Sequence, residues 1–260
     1  MNVVMLGSGS RGNAVAITTD DATVLVDAGF SPRALRKRAA AAGVDLSRLA
    51  GVILTHEHGD HARGAVALAS AAGCDLYASG GTLSRLGSAG RAIGQLETVA
   101  VGPFWVSACR TRHDAAEPIA VCVTGPDGEK LGIAYDLGEA GVAVRYLLRA
   151  AECLVVEANY DDVMLRTGPY PPSVRERIAG PGGHLSNRAA AELLAELWHP
   201  GLRTVVLAHV SEQCNRPDLA HEQVRGTLEP LGYDGDLLVA PQDGALGPIA
   251  VLRSGAAAPV

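Results

Sequence analysis

The run Thr55-His56-Glu57-His58-Gly59-Asp60-His61 constrains this chain more than any other stretch. Four side chains able to bind a divalent metal fall within six residues, and such an ion needs several unprotonated donors at about 2.0–2.2 Å. Residues 51–54 form a short apolar strand that runs directly into the cluster, and the alanine-rich residues 62–72 read as a helix. The donors therefore sit at a strand-to-helix junction. On an extended segment His56 and His58 point the same way, and a turn at Gly59 lets Asp60 and His61 face a second ion beside the first. Imidazole with carboxylate and no thiolate suits zinc, manganese or iron. The zincin helix is excluded, because the fourth position after His56 is Asp60 rather than histidine. A solvated polar loop would account for one histidine but not for three with an aspartate. Glu57 is expected to be a neighbour rather than a ligand, and His199 and His221 to be surface or packing residues.

The rest of the chain interleaves β-branched runs with helical ones. Strands are expected at 2–6, 14–18, 23–26, 118–123, 131–135, 153–157 and 204–207, the first three antiparallel because their connections are short. Helices are expected at 138–150, 186–198 and 218–228, and another after Ser31, which caps it with Pro32 in its first turn. That helix carries a basic face of Arg33, Arg36, Lys37 and Arg38. Prolines 169, 171, 172 and 181 rule out a continuous helix over 159–183, which reads as a structureless insertion of the kind that serves function. Sheets covered by helices follow from the alternation. One domain is expected over 1–253, with a flexible alanine-rich tail at 254–260.

With 260 residues, 48% of them apolar, the chain can bury a sizeable core. Residues 2–6 lack a basic flank and stop at Gly7-Ser8-Gly9-Ser10, so neither a signal peptide nor a membrane span is expected. Five cysteines without CxxC spacing fit reduced thiols in a cytoplasm. A formal net charge of −6 speaks against indiscriminate adhesion to nucleic acid. Two bound divalent cations would bring it to roughly −2.

The cluster resembles the hallmark of the metallo-β-lactamase superfamily, His-x-His-x-Asp-His after a strand. The resemblance implies an αββα sandwich, two mixed sheets face to face with helices outside. It also extends to Asp27 in Val24-Leu25-Val26-Asp27-Ala28-Gly29, His113 in Thr111-Arg112-His113-Asp114, Asp136 after the strand at 131–135, and His209 after Val205-Val206-Leu207-Ala208. It implies one ion on His56, His58 and His113, another on Asp60, His61 and His209, and Asp136 shared. Asp27 would order the ligand loop by hydrogen bonds. Two ions about 3.5–4 Å apart can activate a hydroxide and clamp the attacking and leaving oxygens.

Ligands alone do not choose among lactamases, thioesterases, oxidoreductases and nucleases. Glu157-Ala158-Asn159 and Gly183-His184-Leu185-Ser186-Asn187 resemble the glutamate and histidine pair of ribonuclease Z-type phosphodiesterases. That likeness implies His184 as general acid and Glu157 as the group orienting it, so Asp60, Glu157 and His184 are the candidate catalytic residues. Ser186 or Asn187 could instead leave His184 a position before a capped helix. The YycJ-like (WalJ-like) group is more similar still. It matches Gly7-Ser8-Gly9-Ser10-Arg11-Gly12-Asn13, Met164-Leu165, Tyr170-Pro171, Arg177-Ile178, and His209-Val210-Ser211 with Asn215. This resemblance implies a DNA substrate, 5′-to-3′ exonuclease activity and a link to DNA repair. A small-molecule phosphodiesterase or thioester hydrolase is the alternative. A lactamase would leave the glutamate and histidine pair without a task, and a scaffold without turnover would not need the full donor set.

The glycine loop at 7–12 does not open a helix, so a dinucleotide fingerprint fails and a tight turn between strands is expected. Glycine there lets backbone approach a substrate. Arg166, Arg175 and Arg177, just before His184, are candidates for phosphate contacts. The few aromatics, chiefly Tyr160, Tyr170 and Trp198, do not make a strand-binding channel.

Overall fold

The computed structural model describes residues 1–254. Strands β1 (Asn2–Gly7), β2 (Ala14–Thr18) and β3 (Thr23–Val26) lead through α1 (Pro32–Ala41) to β4 (Leu49–Ile53). Then come α2 (Gly59–Ala62), α3 (Ala65–Ala72), β5 (Asp75–Ala78), α4 (Gly80–Leu86) and β6 (Arg91–Ala92). The middle holds β7 (Thr98–Val101), β8 (Phe104–Arg110), β9 (Ile119–Thr124), β10 (Lys130–Ala134), α5 (Val142–Leu148) and β11 (Cys153–Glu157). The last part holds α6 (Asp162–Thr167), α7 (Pro172–Ala179), α8 (Asn187–Leu197), β12 (Thr204–Ala208), α9 (Pro217–Leu228), β13 (Asp236–Val239) and β14 (Leu246–Ala250).

The strands form two seven-stranded sheets, ordered β14-β1-β2-β3-β4-β5-β6 and β13-β12-β11-β10-β9-β8-β7. Each is mixed: β3, β4, β5 and β6 pair in parallel, as do β10, β11, β12 and β13, while the remaining pairs are antiparallel. Strands buried on both faces read as unbroken apolar runs, as in Cys153–Glu157 and Thr204–Ala208. One core lies between the sheets, with Met5, Ile17, Ile53, Phe104 and Ile133 fully covered. Each such side chain contributes about 1.5–3 kcal/mol by leaving water. The opposite face of the first sheet is covered by α1 and α3 through Leu35 and Leu68, and that of the second by α5, α8 and α9 through Val144, Leu194 and Val224. The architecture is the αββα sandwich expected.

Several local expectations change. Residues 159–183 are not structureless, because Asp161 caps α6 by accepting from Val163 and Met164 N–H, and Pro172 opens α7 where its missing N–H costs nothing. The single helix expected at 62–72 is two, broken at Gly64, whose N–H donates to Ala28 O at 2.8 Å. The helix expected at 138–150 begins only at Val142, since Gly138 first bonds Arg112 O. Gly7 pairs with Ala14, so residues 8–13 form a six-residue loop and not a tight turn. Arg38 leaves the basic face of α1: it lies over the Phe30 ring and donates to Leu6 O at 2.9 Å. Ser254 is held by Glu152 through its N–H and hydroxyl, and the rest of the expected tail, 255–260, lies outside the described residues. No helix among the described residues is long and apolar enough to cross a membrane.

Candidate metal centre

Parallel strands aim their carboxyl ends at one edge, and loops leaving that edge gather side chains from both sheets. Asp27 follows β3, residues 55–61 follow β4, Asp136 follows β10, Glu157 ends β11 and His209 follows β12. Three of these, Asp27, Asp136 and His209, take left-handed backbone with φ of 60°, 53° and 52°. Each thereby turns its side chain sharply from the strand into the edge.

The ring nitrogens face one another instead of partnering separately. His56 Nε2 is 3.0 Å from His58 Nδ1, and His113 Nε2 is 3.3 Å from the same atom. Asp136 Oδ2 lies 2.5 Å from His61 Nε2 and 3.7 Å from His56 Nε2. Asp60 Oδ2 is 3.5 Å from both His61 Nε2 and His209 Nε2. The triplets His56/His58/His113, His56/His61/Asp136 and Asp60/His61/His209 each bring their donor atoms within 4.8 Å of one another. Neither oxygen of the buried Asp136 carboxylate has a properly directed hydrogen bond, although imidazoles crowd it. An orphaned buried carboxylate ringed by converging nitrogens fits cation binding, so the cluster can hold divalent metal ions.

Its electrostatics without a metal follow from the same crowding. Burial, then the neighbouring His61, holds His56 well below its ordinary range. Burial opposes charge on His209 too, but Asp136 and Asp60 outweigh it and push that imidazole up to about 9. Asp136 stays far below the usual carboxylate range, since His209 and His61 overcome the cost of burial.

Outer contacts fix the His61 and His113 rings and the backbone of His209. Asp27 accepts from Thr55 N–H at 2.8 Å and Thr55 Oγ1 at 2.7 Å, and its Oδ2 lies 2.6 Å from His61 Nδ1. His61 therefore presents Nε2 to the centre. Gly29 permits this packing, because a Cβ there would stand 1.7 Å from Asp60 O. His113 Nδ1 lies 3.0 Å from Gly183 O, and His209 N–H donates to Ser8 Oγ at 2.8 Å. Glu57 lies outside the donor set, accepting from Ala116 N–H at 2.7 Å and Thr82 Oγ1 at 3.3 Å. His199 bonds Ala151 O and is a packing residue, as expected.

Glu157 and His184 meet beside the cluster. His184 Nδ1 is 2.6 Å from Glu157 Oε1 and 3.2 Å from Asp136 Oδ1. The fully buried Glu157 carboxylate also accepts from Leu137 and Leu185 N–H at 3.0 and 3.1 Å. Burial draws the His184 imidazole down, but the Glu157 charge and the Asp136 contact prevail and push it up to about 11. Ser186 caps α8 by accepting from Ala189 N–H, as the reading of His184 as a position before a capped helix expects, while the His184 ring itself is held by Glu157.

Arg166 and Arg175 lie farther out, on α6 and α7, where the Arg175 guanidinium donates to Arg166 O. Arg177 faces the other way, its Nε donating to Asp114 Oδ2 at 2.7 Å. It is paired to the loop that carries His113.

Unforeseen partners include Asn13, whose Nδ2 is 3.0 Å from His61 Nε2, and Asn159, whose Nδ2 donates to His209 O at 2.8 Å. Asn215 ties Ala158 and Asn159 O to the Asn187 amide. The available signal was asparagine inside glycine-rich or strand-ending runs, where an amide can satisfy stranded backbone.

The metallo-beta-lactamase superfamily model matches residues 7–147. The chain is 31% identical to exodeoxyribonuclease YycJ of Bacillus anthracis over 240 residues, covering 88% of this chain and 89% of that protein. It is 30% identical to exodeoxyribonuclease WalJ of Streptococcus pneumoniae serotype 2 (strain D39) over 227 residues, 84% of each. The fold is shared with the metallo-beta-lactamase fold protein YhfI from Bacillus subtilis, at a TM-score of 0.70, 16% identity and coverage of 95% and 99%. It is shared likewise with human tRNase Z, short form, at a TM-score of 0.66, 18% identity and coverage of 96% and 100%. The His56-to-His61 run, the sandwich that presents it and these relatives together place the chain in the metallo-β-lactamase superfamily, among its YycJ/WalJ-like proteins.

Proposed function

We propose that this chain is a binuclear metal-dependent phosphodiesterase acting on nucleic acid, a 5′-to-3′ DNA exonuclease. The observation that carries the proposal is the buried Glu157 holding His184 at 2.6 Å beside Asp136. A thiolate leaves readily without a proton, so a thioesterase gains little from a donor so placed, whereas a nucleotide alkoxide leaving from phosphorus needs one. The exodeoxyribonuclease names of the relatives support a strand substrate.

In this reading His56, His58 and His113 would hold one ion, Asp60, His61 and His209 another, with Asp136 available to both. When bound, zinc, manganese or iron would supply a nucleophile at neutral pH and offset the charge of the diester. The chain's own part is to orient and to move a proton. Asp27 fixes the His61 ring through Nδ1, Asn159 lies 3.1 Å from His209 Nδ1, and Glu157 keeps the His184 Nδ1 edge occupied so that Nε2–H would face the leaving oxygen. Five free cysteines accord with a cytoplasmic setting. The core shared by both sheets accords with one domain.

The test uses end-labelled single- and double-stranded DNA and RNA with zinc and manganese compared. Mononucleotides released progressively from the 5′ end of DNA are expected. Hydrolysis of small diesters or thioesters with none of any strand would transfer the assignment to the alternative.

Arg175 and Arg177 should separate in this assay. Arg175→Ala is expected to lower the slope of log affinity against log salt by about one, the loss of one phosphate contact. Arg177→Ala should change the slope less, since Asp114 already offsets its charge. It should instead weaken metal retention by about tenfold, the low end for groups that hold a ligand in place. Equal slopes in both variants and unchanged chelator competition in Arg177→Ala would dismiss the distinction between the two arginines.

A further inference from the structure

We propose that the groove between α6, α7 and the first turn of α8 binds a phosphate group of the substrate strand away from the metal cluster, an assignment that rests on the nuclease reading above. The groove encloses about 640 Å³, within the range of small-molecule sites. Arg175 enters it from α7, on the helix face shared with Pro172, Glu176 and Ala179, opposite to Arg177. Arg166 enters from α6 and Arg188 from α8.

These cations are weakly compensated. Among the described residues neither Arg166 nor Arg175 has a carboxylate at ion-pair distance, and Arg188 has only Asp162, its Nε 3.5 Å from Oδ2. Three guanidiniums face two carboxylates, Asp162 and Glu176, in a chain whose formal charge is −6. A concave surface that concentrates planar cationic forks in an otherwise acidic protein suits a phosphate ester, which guanidinium can bind through two parallel hydrogen bonds.

Its position joins it to the reaction centre. Tyr160, buried in the groove wall, lies three residues beyond Glu157, and its carbonyl accepts from Asn187 N–H at 2.8 Å. Its backbone bridges to Ser186, two residues beyond His184. Tyr160 packs with Leu165 and Cys214 in the apolar cluster that seats α6 on the body, with Ile178 of α7 against it. Ile178 O in turn accepts from His184 N–H at 2.8 Å. A phosphate held here would therefore anchor the strand through the same backbone that positions the proton donor.

The experiment measures binding of 3′-fluorescein-labelled phosphorothioate tetradeoxynucleotides, with a 5′-phosphate or a 5′-hydroxyl, to the metal-loaded enzyme by anisotropy. Arg175→Ala and Arg188→Ala should each raise Kd by about tenfold, the size of one charge-assisted hydrogen bond. Arg36→Ala, on the exposed side of α1, should leave it unaltered. Loss confined to the 5′-phosphorylated probe would assign the groove to the terminal nucleotide, and equal loss on both probes to an internal phosphate. Wild-type Kd values in Arg175→Ala and Arg188→Ala, or an equal loss in Arg36→Ala, would overturn the groove assignment while leaving the nuclease reading standing. Failure of the wild-type holoenzyme to bind either probe, together with no cleavage of unmodified DNA, would overturn both.

Discussion

Asp136→Ala should leave the protein with fewer than one metal ion per chain and lower hydrolysis by at least about 10³-fold, equivalent to about 4 kcal/mol of transition-state stabilisation. The wild type should carry about two ions. The reason is positional: one carboxylate touches both halves of the cluster, its Oδ2 beside His61 and His56 and its Oδ1 beside His184 and His209 at 3.2 Å. Without it, six remaining donors would keep their places but lose the anion that, on the proposed binuclear reading, would offset two dications in a buried site. Asp136→Asn should behave almost as badly, because it keeps the shape and removes the charge. Elemental analysis decides the matter. One ion in fully active wild type would defeat the shared-ligand assignment, and so would two in the alanine variant.

His184→Ala is expected to slow hydrolysis of DNA by about 10²–10⁴-fold, the range for a positioned general acid. The same variant should slow bis(p-nitrophenyl) phosphate far less, since p-nitrophenolate departs without a proton. With Glu157 Oε1 2.6 Å from Nδ1, the imidazole is held in a form that can donate, so any alkaline limb of the wild-type rate on DNA that belongs to His184 should be absent in the variant. Glu157→Gln should shift both measures in the same direction by a smaller factor, because it loosens the imidazole without removing it. Equal slowing of both substrates with metal intact would dismiss the general acid. Loss of metal would move His184 into the donor set, a role its 3.2 Å approach to Asp136 makes geometrically open.

The donor run 56–61 was legible because its residues are adjacent in the chain, so residue type and spacing alone imply a common ion. Asp27, His113, Asp136, Glu157, His184 and His209 are scattered over nearly two hundred positions, and only likeness to a family could single them out together. The sandwich places them along one edge by parallel pairing across β3 and β4 and across β10, β11 and β12, a long-range arrangement that no local pattern encodes. Asn13 and Ser8 stand in a run that family likeness marks, but their contacts to His61 and His209 depend on the path of the loop at 8–13, which no local pattern sets. The insertion at 159–183 conceals its helices because proline acts by position: Pro172 at a helix start favours the helix that the same residue would break in mid-course. The hairpin of β7 and β8 alternates buried Phe104 with exposed Trp105, a two-residue period too short to stand out in an apolar chain.

The left-handed backbone at Asp27, Asp136 and His209 has a consequence for how such a chain can evolve. Aspartate and histidine tolerate that conformation better than most residues, yet each still costs on the order of 1 kcal/mol against glycine, which adopts it freely. Folding is worth only about 5–15 kcal/mol in all, so three such positions are a measurable tax on stability. A lineage released from selection for hydrolysis would be drawn to glycine at these sites and would become sturdier as it lost its chemistry.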